Sequence, residues 1–149
     1  MFIVLVCKFY EYYMIKILHL ITGLNTGGAE IMLYRLLTLK SYNEYSHSVI
    51  SLSSEGILGG KMREVGIEVE SLEITPGQLH PKYLFRLLSM IKNKNPDIIH
   101  TWLYHADLFG GVAAFLLGRK IPVVWAIHNT NLDANSIKAG TRLIAKICA

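Results

Sequence analysis

Gly23, Thr26, Gly27 and Gly28 stand between an apolar run, Ile17-Leu18-His19-Leu20-Ile21, and a helical pattern that opens at Ala29. Glycines at the carboxyl end of a strand and the amino end of a helix sit where backbone N–H groups converge on an anion, so the chemistry of this spacing is phosphate binding. A tight strand-to-helix turn also uses glycine for conformational reasons alone, and that reading stands beside the first. The six histidines are the other groups able to exchange protons near neutral pH. His128 and His105 fall at the ends of strand patterns or in the loops after them, as does the amide of Asn129. His19 and His100 lie inside strand patterns and read as buried, whereas His47 and His80 read as solvent or capping positions.

Several familiar phosphate and acyl chemistries are excluded by spacing. The glycines follow G-x-x-x-G-G and not G-x-G-x-x-G, and the second strand ends in Ser53-Ser54 before Glu55, with no acid placed to hold a ribose. No Gly-Lys-Ser or Gly-Lys-Thr follows a strand, no nucleophile elbow is present, and the aspartates are dispersed at positions 97, 107 and 133. Cys7 and Cys148 form neither a CxxC pair nor a His/Cys ligand set, which reads as two reduced thiols of a cytoplasmic protein without a metal site.

The elements that must position the glycine turn follow a regular alternation. Apolar residues recur at helical spacing over 29–40, with Met32, Leu33, Leu36 and Leu37 on one face and Glu30 in the first turn, where a carboxylate suits the helix dipole. A second strand is expected over 48–52. A short helical piece over 61–65 follows, stopped by Gly66. Residues 67–72 alternate apolar with polar as an edge strand does, which directs Glu68 and Glu70 to water. Pro81 opens a helix carrying Leu84, Leu87, Leu88 and Ile91, and Pro96 closes it. A strand over 97–102, a strongly apolar helix over 106–117 expected to be buried on most sides, a strand over 121–129 and a last helix capped by Ser136 complete the order. Alternating strands and helices of these lengths specify an α/β fold, a Rossmann-like parallel sheet with helices on both faces.

At 149 residues the chain has room for one ordinary domain. With 52% apolar and 17% charged residues, either the sheet is covered on both faces or part of the surface meets another domain. The net charge of +4 comes from scattered lysines and arginines, which argues against nucleic acid and leaves only a weak pull toward anionic lipid or phosphate. Residues 2–7 are apolar but too short to span a bilayer and lack the features of a secretory signal. Because Met14 directly precedes the first strand, residues 1–13 read as an extension and 14–149 as the domain.

Taken together, Lys16-Ile17-Leu18-His19-Leu20-Ile21 leading into Thr26-Gly27-Gly28-Ala29-Glu30, then Pro96-Asp97-Ile98-Ile99-His100-Thr101-Trp102, His105-Ala106-Asp107 and Pro122-Val123-Val124-Trp125-Ala126-Ile127-His128-Asn129, resemble the amino-terminal domain of GT-B glycosyltransferases. The resemblance is to the large retaining class of the family four and group one type. It implies that the substrates are a nucleotide-sugar donor, with no separate cofactor, and a glycan or lipid-linked acceptor. Gly27 and Gly28 would admit the donor diphosphate. His128 would be the catalytic-site histidine that contacts the transferred sugar, although a satisfied structural histidine is its other reading. Thr26, His105 and Asn129 would line the acceptor or sugar side. The Glu-x₇-Glu motif of the family lies in its second domain, and no two glutamates here stand eight apart. A truncated product, inactive alone and missing its carboxyl-terminal domain in cis or in trans, is therefore expected. Its place would be the cytoplasm, with room for peripheral contact at the inner membrane face. A nucleotide- or dinucleotide-binding module, disfavoured by the glycine spacing, and a non-catalytic subunit of a split transferase are the alternatives.

Overall fold

The computed structural model describes residues 14–39, 45–75, 80–118 and 121–126. Within them strands and helices alternate as β1 (Lys16–Ile21), α1 (Gly28–Thr38), β2 (Ser46–Ser51), α2 (Gly56–Glu64), β3 (Glu68–Ser71), α3 (Pro81–Lys94), β4 (Ile98–Trp102), α4 (Tyr104–Leu116) and β5 (Val123–Ala126). Every pairing is parallel and the strand order is β3-β2-β1-β4-β5. From β1 in the middle of the described sheet the chain works outward to β3 and then crosses back, so β1 and β4 lie side by side. Their carboxyl ends form the topological switch point, where the two following connections diverge and leave a crevice.

Side-chain parity along β1 divides the core. Leu18 and Leu20 pack with Leu87, Met90 and Ile91 of α3 and with Ala106, Ala113 and Ala114 of α4. On the opposite face, Ile21 packs with Leu33 and Leu37 of α1, Leu58 and Met62 of α2 and Trp102 of β4. A strand apolar on both sides is what a doubly covered parallel sheet requires. The α4 helix comes down close on the sheet because Gly110 has no Cβ: an added one would overlap Thr101 Cγ2 and press on Leu20 Cδ2.

Four expectations need correction. The α2 helix is longer than the piece over 61–65, because the burial of Leu58, Gly59 and Met62 draws the preceding glycines into helix despite their low propensity. Gly66 stops it as expected, at φ +86 and with its N–H donated to the Arg63 carbonyl. The glutamates of β3 do not simply face water, since Lys94 of α3 forms ion pairs with both Glu68 and Glu70. The α4 helix is buried along one stripe, Ala106, Asp107, Gly110, Ala113 and Ala114, with Phe109 half-buried beside it, which leaves Phe115 84% exposed, and in α1 the contact face excludes Met32.

Residues 1–13 and 127–149, and with them the expected end of the fifth strand and the last helix, lie outside the described residues. Among the described residues no helix is long and apolar enough to cross a membrane.

Candidate functional site

The turn after β1 is fixed at its two ends and exposed between them. Leu24 is fully buried and its carbonyl accepts the Leu58 N–H at 3.0 Å, while Ala29 is buried at the start of α1. Gly56, at φ +54, lets α2 begin directly against that carbonyl, where a Cβ would overlap it. Asn25, Thr26, Gly27 and Gly28 therefore hang in solvent between two anchors. Gly27 is the N-cap of α1 with extended backbone and makes no side-chain capping bond, so none of the first N–H groups of the helix is capped by it.

Neither Gly27 nor Gly28 is among the described glycines with left-handed backbone, which are Gly56, Gly66 and Gly118. A Cβ on Gly27 would overlap the Glu30 carboxylate, which folds back over the helix start, whereas one on Gly28 would meet nothing within 4 Å. Neither backbone angle nor internal packing requires glycine at 28. What its bare Cα does provide is close access from outside.

The facing wall is the turn after β4. Leu103 occupies φ 74 and ψ 150, a region that side-chain-bearing residues avoid. The Thr101 hydroxyl donates to Asp107 Oδ1 at 2.6 Å, joining β4 to the first turn of α4 across that residue. Burial pushes the Asp107 carboxyl above its ordinary value, partly offset by the Thr101 hydrogen bond. The turn is thus held by a buried polar pair on one side and by the α4 packing on the other, which is how a strained backbone persists. His105 lies half-buried in the first turn of α4, on this second wall.

Beneath the crevice the two strands are joined by side chains. The Trp102 indole N–H donates to His19 Nδ1 at 3.4 Å, and His19 Nε2 lies 3.0 Å from His47 Nδ1. Indole can only donate, so His19 accepts at Nδ1, carries its proton on Nε2 and donates it to His47. His100, the direct register partner of His19, stands with its ring centroid 5.3 Å from that of His19 and 4.8 Å from that of Trp102. Burial, followed by the charges of His100 and His47, holds His19 well below the usual histidine value, so it is neutral at physiological pH.

The structure brings Thr26, Gly27 and Gly28 together on one wall and puts His105 on the other; His128 and Asn129 lie outside the described residues. His80 is the capping residue expected, accepting from the Lys82 N–H at 3.3 Å through Nδ1. His47 corrects the solvent reading: it is half-buried and bonded to His19. Sequence reasoning missed that link and the Thr101–Asp107 pair, because both depend on strand register. The spacing of His19, His47 and His100, each at a position of one parity, was the available signal. Among the described residues no group of three or more His, Cys, Asp or Glu side chains could hold a metal ion.

A parallel sheet in this order, with glycine-bearing and strained turns meeting at its switch point, defines a Rossmann-like domain of GT-B type. Comparison with known proteins sharpens that class: the sequence profile of glycosyltransferase family 4 matches residues 26–147, and the chain belongs to that family. It is 35% identical over 92 residues to the capsular polysaccharide biosynthesis glycosyltransferase CapH of Staphylococcus aureus, a match covering 59% of this chain and 24% of CapH. The crystal structure of Anabaena Alr3699/HepE in complex with UDP superposes with a TM-score of 0.68 at 24% identity, over 91% of this chain and 35% of that one. The UDP-GlcNAc 2-epimerase of Neisseria meningitidis bound to UDP-GlcNAc superposes at 0.59 and 16% identity, over 91% of this chain and 39% of the epimerase. These likenesses establish the fold, and the chain spans about a quarter to two fifths of the relatives' length.

Proposed function

We propose that this chain is the amino-terminal, acceptor-side half of a sugar transferase that uses a nucleotide-sugar donor to build a cell-envelope polysaccharide or related glycan. The observation that supports this most directly is Gly28, whose missing side chain serves no internal purpose in the exposed turn at the start of α1, on the carboxyl-end side of the sheet. Membership in glycosyltransferase family 4 favours transfer, and CapH, named for capsular polysaccharide biosynthesis, suggests the class of product. HepE and the epimerase, solved with UDP or a UDP-sugar, favour a uridine diphosphate donor over a dinucleotide.

In this reading the donor diphosphate lies against Gly27 and Gly28, with the α1 N–H groups opposing the negative charge that grows as the glycosidic bond breaks. His128 contacts the transferred sugar, its neutral imidazole meeting a hydroxyl. Thr26, His105 and Asn129 line the acceptor or sugar side. A second domain, joined in cis or in trans, supplies the nucleotide contacts and the remaining leaving-group stabilisation. The work is done at the cytoplasmic face of the membrane, where a lipid-linked acceptor is presented.

Titration of the isotope-labelled chain with UDP-glucose, followed by amide resonances, tests the assignment. The Gly27 and Gly28 signals are expected to move saturably while that of Gly118, beyond the end of α4, stays in place. Gly28→Ala should weaken the response roughly tenfold, because its new methyl group occupies the approach to the helix N–H groups. Strong binding of NADH with no response to UDP-glucose would overturn the proposal.

A further inference from the structure

A second concavity lies on the same edge of the sheet as the glycine turn, two strands away. Glu73 follows the carboxyl end of β3 and Pro81 begins α3; between them is a cavity of about 340 Å³ lined by Leu72, Glu73, Lys82, Tyr83 and Arg86. Lys82 and Arg86 are four residues apart, one turn of α3, and therefore project from the same side of the helix. Among the described residues neither forms an ion pair with a carboxylate. Among the described residues Glu73 is the one acid in the lining, and one of its oxygens accepts from the Ser71 hydroxyl. Tyr83 is half-buried and presents its ring beside these cations, with the Lys82 ammonium 5.0 Å from the ring centroid.

The rim connects this cavity to the glycine turn. The Glu73 N–H donates to the Ser53 carbonyl at 3.2 Å, and the Ser53 N–H donates to the Thr22 carbonyl at 3.0 Å. Ser53 also lies against Gly23, where an added Cβ would stand 2.8 Å from its hydroxyl oxygen. Neighbouring strands are about 4.8 Å apart, so the cavity opens about 10 Å from the end of β1.

We infer that this cavity is an acceptor subsite that takes a pyranose bearing an oxyanion, either a carboxylate or a phosphate. Two cations on one helical turn, neither paired with a carboxylate among the described residues, suit a group with two or three equivalent oxygens, and the guanidinium of Arg86 can bind it through paired hydrogen bonds. The face of the Tyr83 ring away from the Lys82 ammonium is an apolar platform for a sugar face. Glu73, already bonded at one oxygen to Ser71, keeps a second oxygen that can accept from a sugar hydroxyl. Two cations against the single carboxylate of Glu73 give the described lining a net positive charge, which favours an anionic sugar over a neutral one. The inference deepens the transferase reading and rests on it for the word acceptor.

Amide-resonance titration of the full chain with methyl glucuronoside, glucose 6-phosphate and methyl glucoside tests it. The two anionic sugars should move the Glu73 and Tyr83 signals saturably, more weakly as salt is added, and the neutral glucoside should not. Whichever anionic sugar binds tighter identifies the carboxylate or the phosphate as the natural group. Lys82→Gln with Arg86→Gln, both exposed positions, should keep the circular dichroism spectrum and lose roughly tenfold in affinity for the anionic sugars. Equal binding of neutral and anionic sugars, no movement at Tyr83, or unchanged affinity in the double variant would each overturn it. UDP-glucose in the same tube separates the two proposals. Response at Gly28 with none at Tyr83 defeats the subsite and leaves the transferase reading standing; response at Tyr83 with none at Gly28 defeats the donor assignment.

Discussion

His19 is held neutral by its surroundings, and that has a measurable consequence for stability. Its ring is almost wholly buried, with His47 on β2, His100 and Trp102 on β4 and, beyond His47, the ring of Tyr45. No carboxylate among the described residues is bonded to it to compensate a positive charge. Folding therefore depresses the His19 value below the 6.5 of an unfolded histidine, first through burial and then through the neighbouring imidazoles. With the folded value below the unfolded one, the unfolded chain binds the extra proton as the pH falls below 6.5, so the contribution is full above that pH and declines beneath it. Urea denaturation at pH 7.5, 6.0 and 5.0 should show a falling midpoint. In His19→Gln, whose amide can still accept from Trp102 and donate to His47, the fall should be shallower; an identical pH profile would remove His19 as its source.

Glycine plays opposite parts in the two connections that meet at the switch point, and the elements themselves show the difference. Gly110 is required by packing, so Gly110→Ala forces a methyl group into Thr101 and Leu20 at a cost of about 1–3 kcal/mol. Gly28 begins α1 in open space, so Gly28→Ala should change stability by less than about 0.5 kcal/mol while weakening UDP-glucose binding. Paired melts and titrations check this, and a large loss of stability in Gly28→Ala would return that glycine to a purely structural role. Much of this element-level arrangement is legible in the sequence. Helical and strand periodicity locate the alternation, Pro81 and Gly66 mark a start and a stop, and the glycine turn lies where it was expected. The rest depends on partners remote in sequence. The extension of α2 back to Gly56 rests on Leu24, the pairing of the β3 glutamates on Lys94, and the strain at Leu103 on the Thr101–Asp107 bond. No local pattern encodes such contacts, and the cavity at Tyr83 likewise arises only when β3 and α3 are side by side.

Across the whole molecule, the two ends of the sheet carry different loads. All five described strands run parallel, and the proposed binding groups among the described residues lie at their carboxyl ends: the glycine turn, the His105 wall and the Tyr83 cavity. Helices run back antiparallel to the strands they follow, which brings the last turn of α3 to the opposite rim. There Lys94, its side chain only 7% exposed, reaches both Glu68 and Glu70 and ties α3 to the edge strand. Burial lowers the Lys94 value, but its hydrogen bonds and charge attraction to Glu70 and Glu68 outweigh that and hold it above the ordinary 10.5. A lysine whose folded value exceeds its unfolded one contributes stability that is complete below 10.5 and is lost as the pH rises through the folded value. Lys94→Met, which keeps the stem and removes the charge, should therefore be less stable than the parent at neutral pH, and the gap should close in strongly alkaline solution. UDP-glucose binding, at the far end of the sheet, should be unchanged. Denaturation midpoints at pH 7.5 and 11 alongside one titration at neutral pH test this division. Loss of donor affinity in Lys94→Met would mean that the two rims are coupled through β1 and β2, because α3 reaches the glycine turn only across those strands.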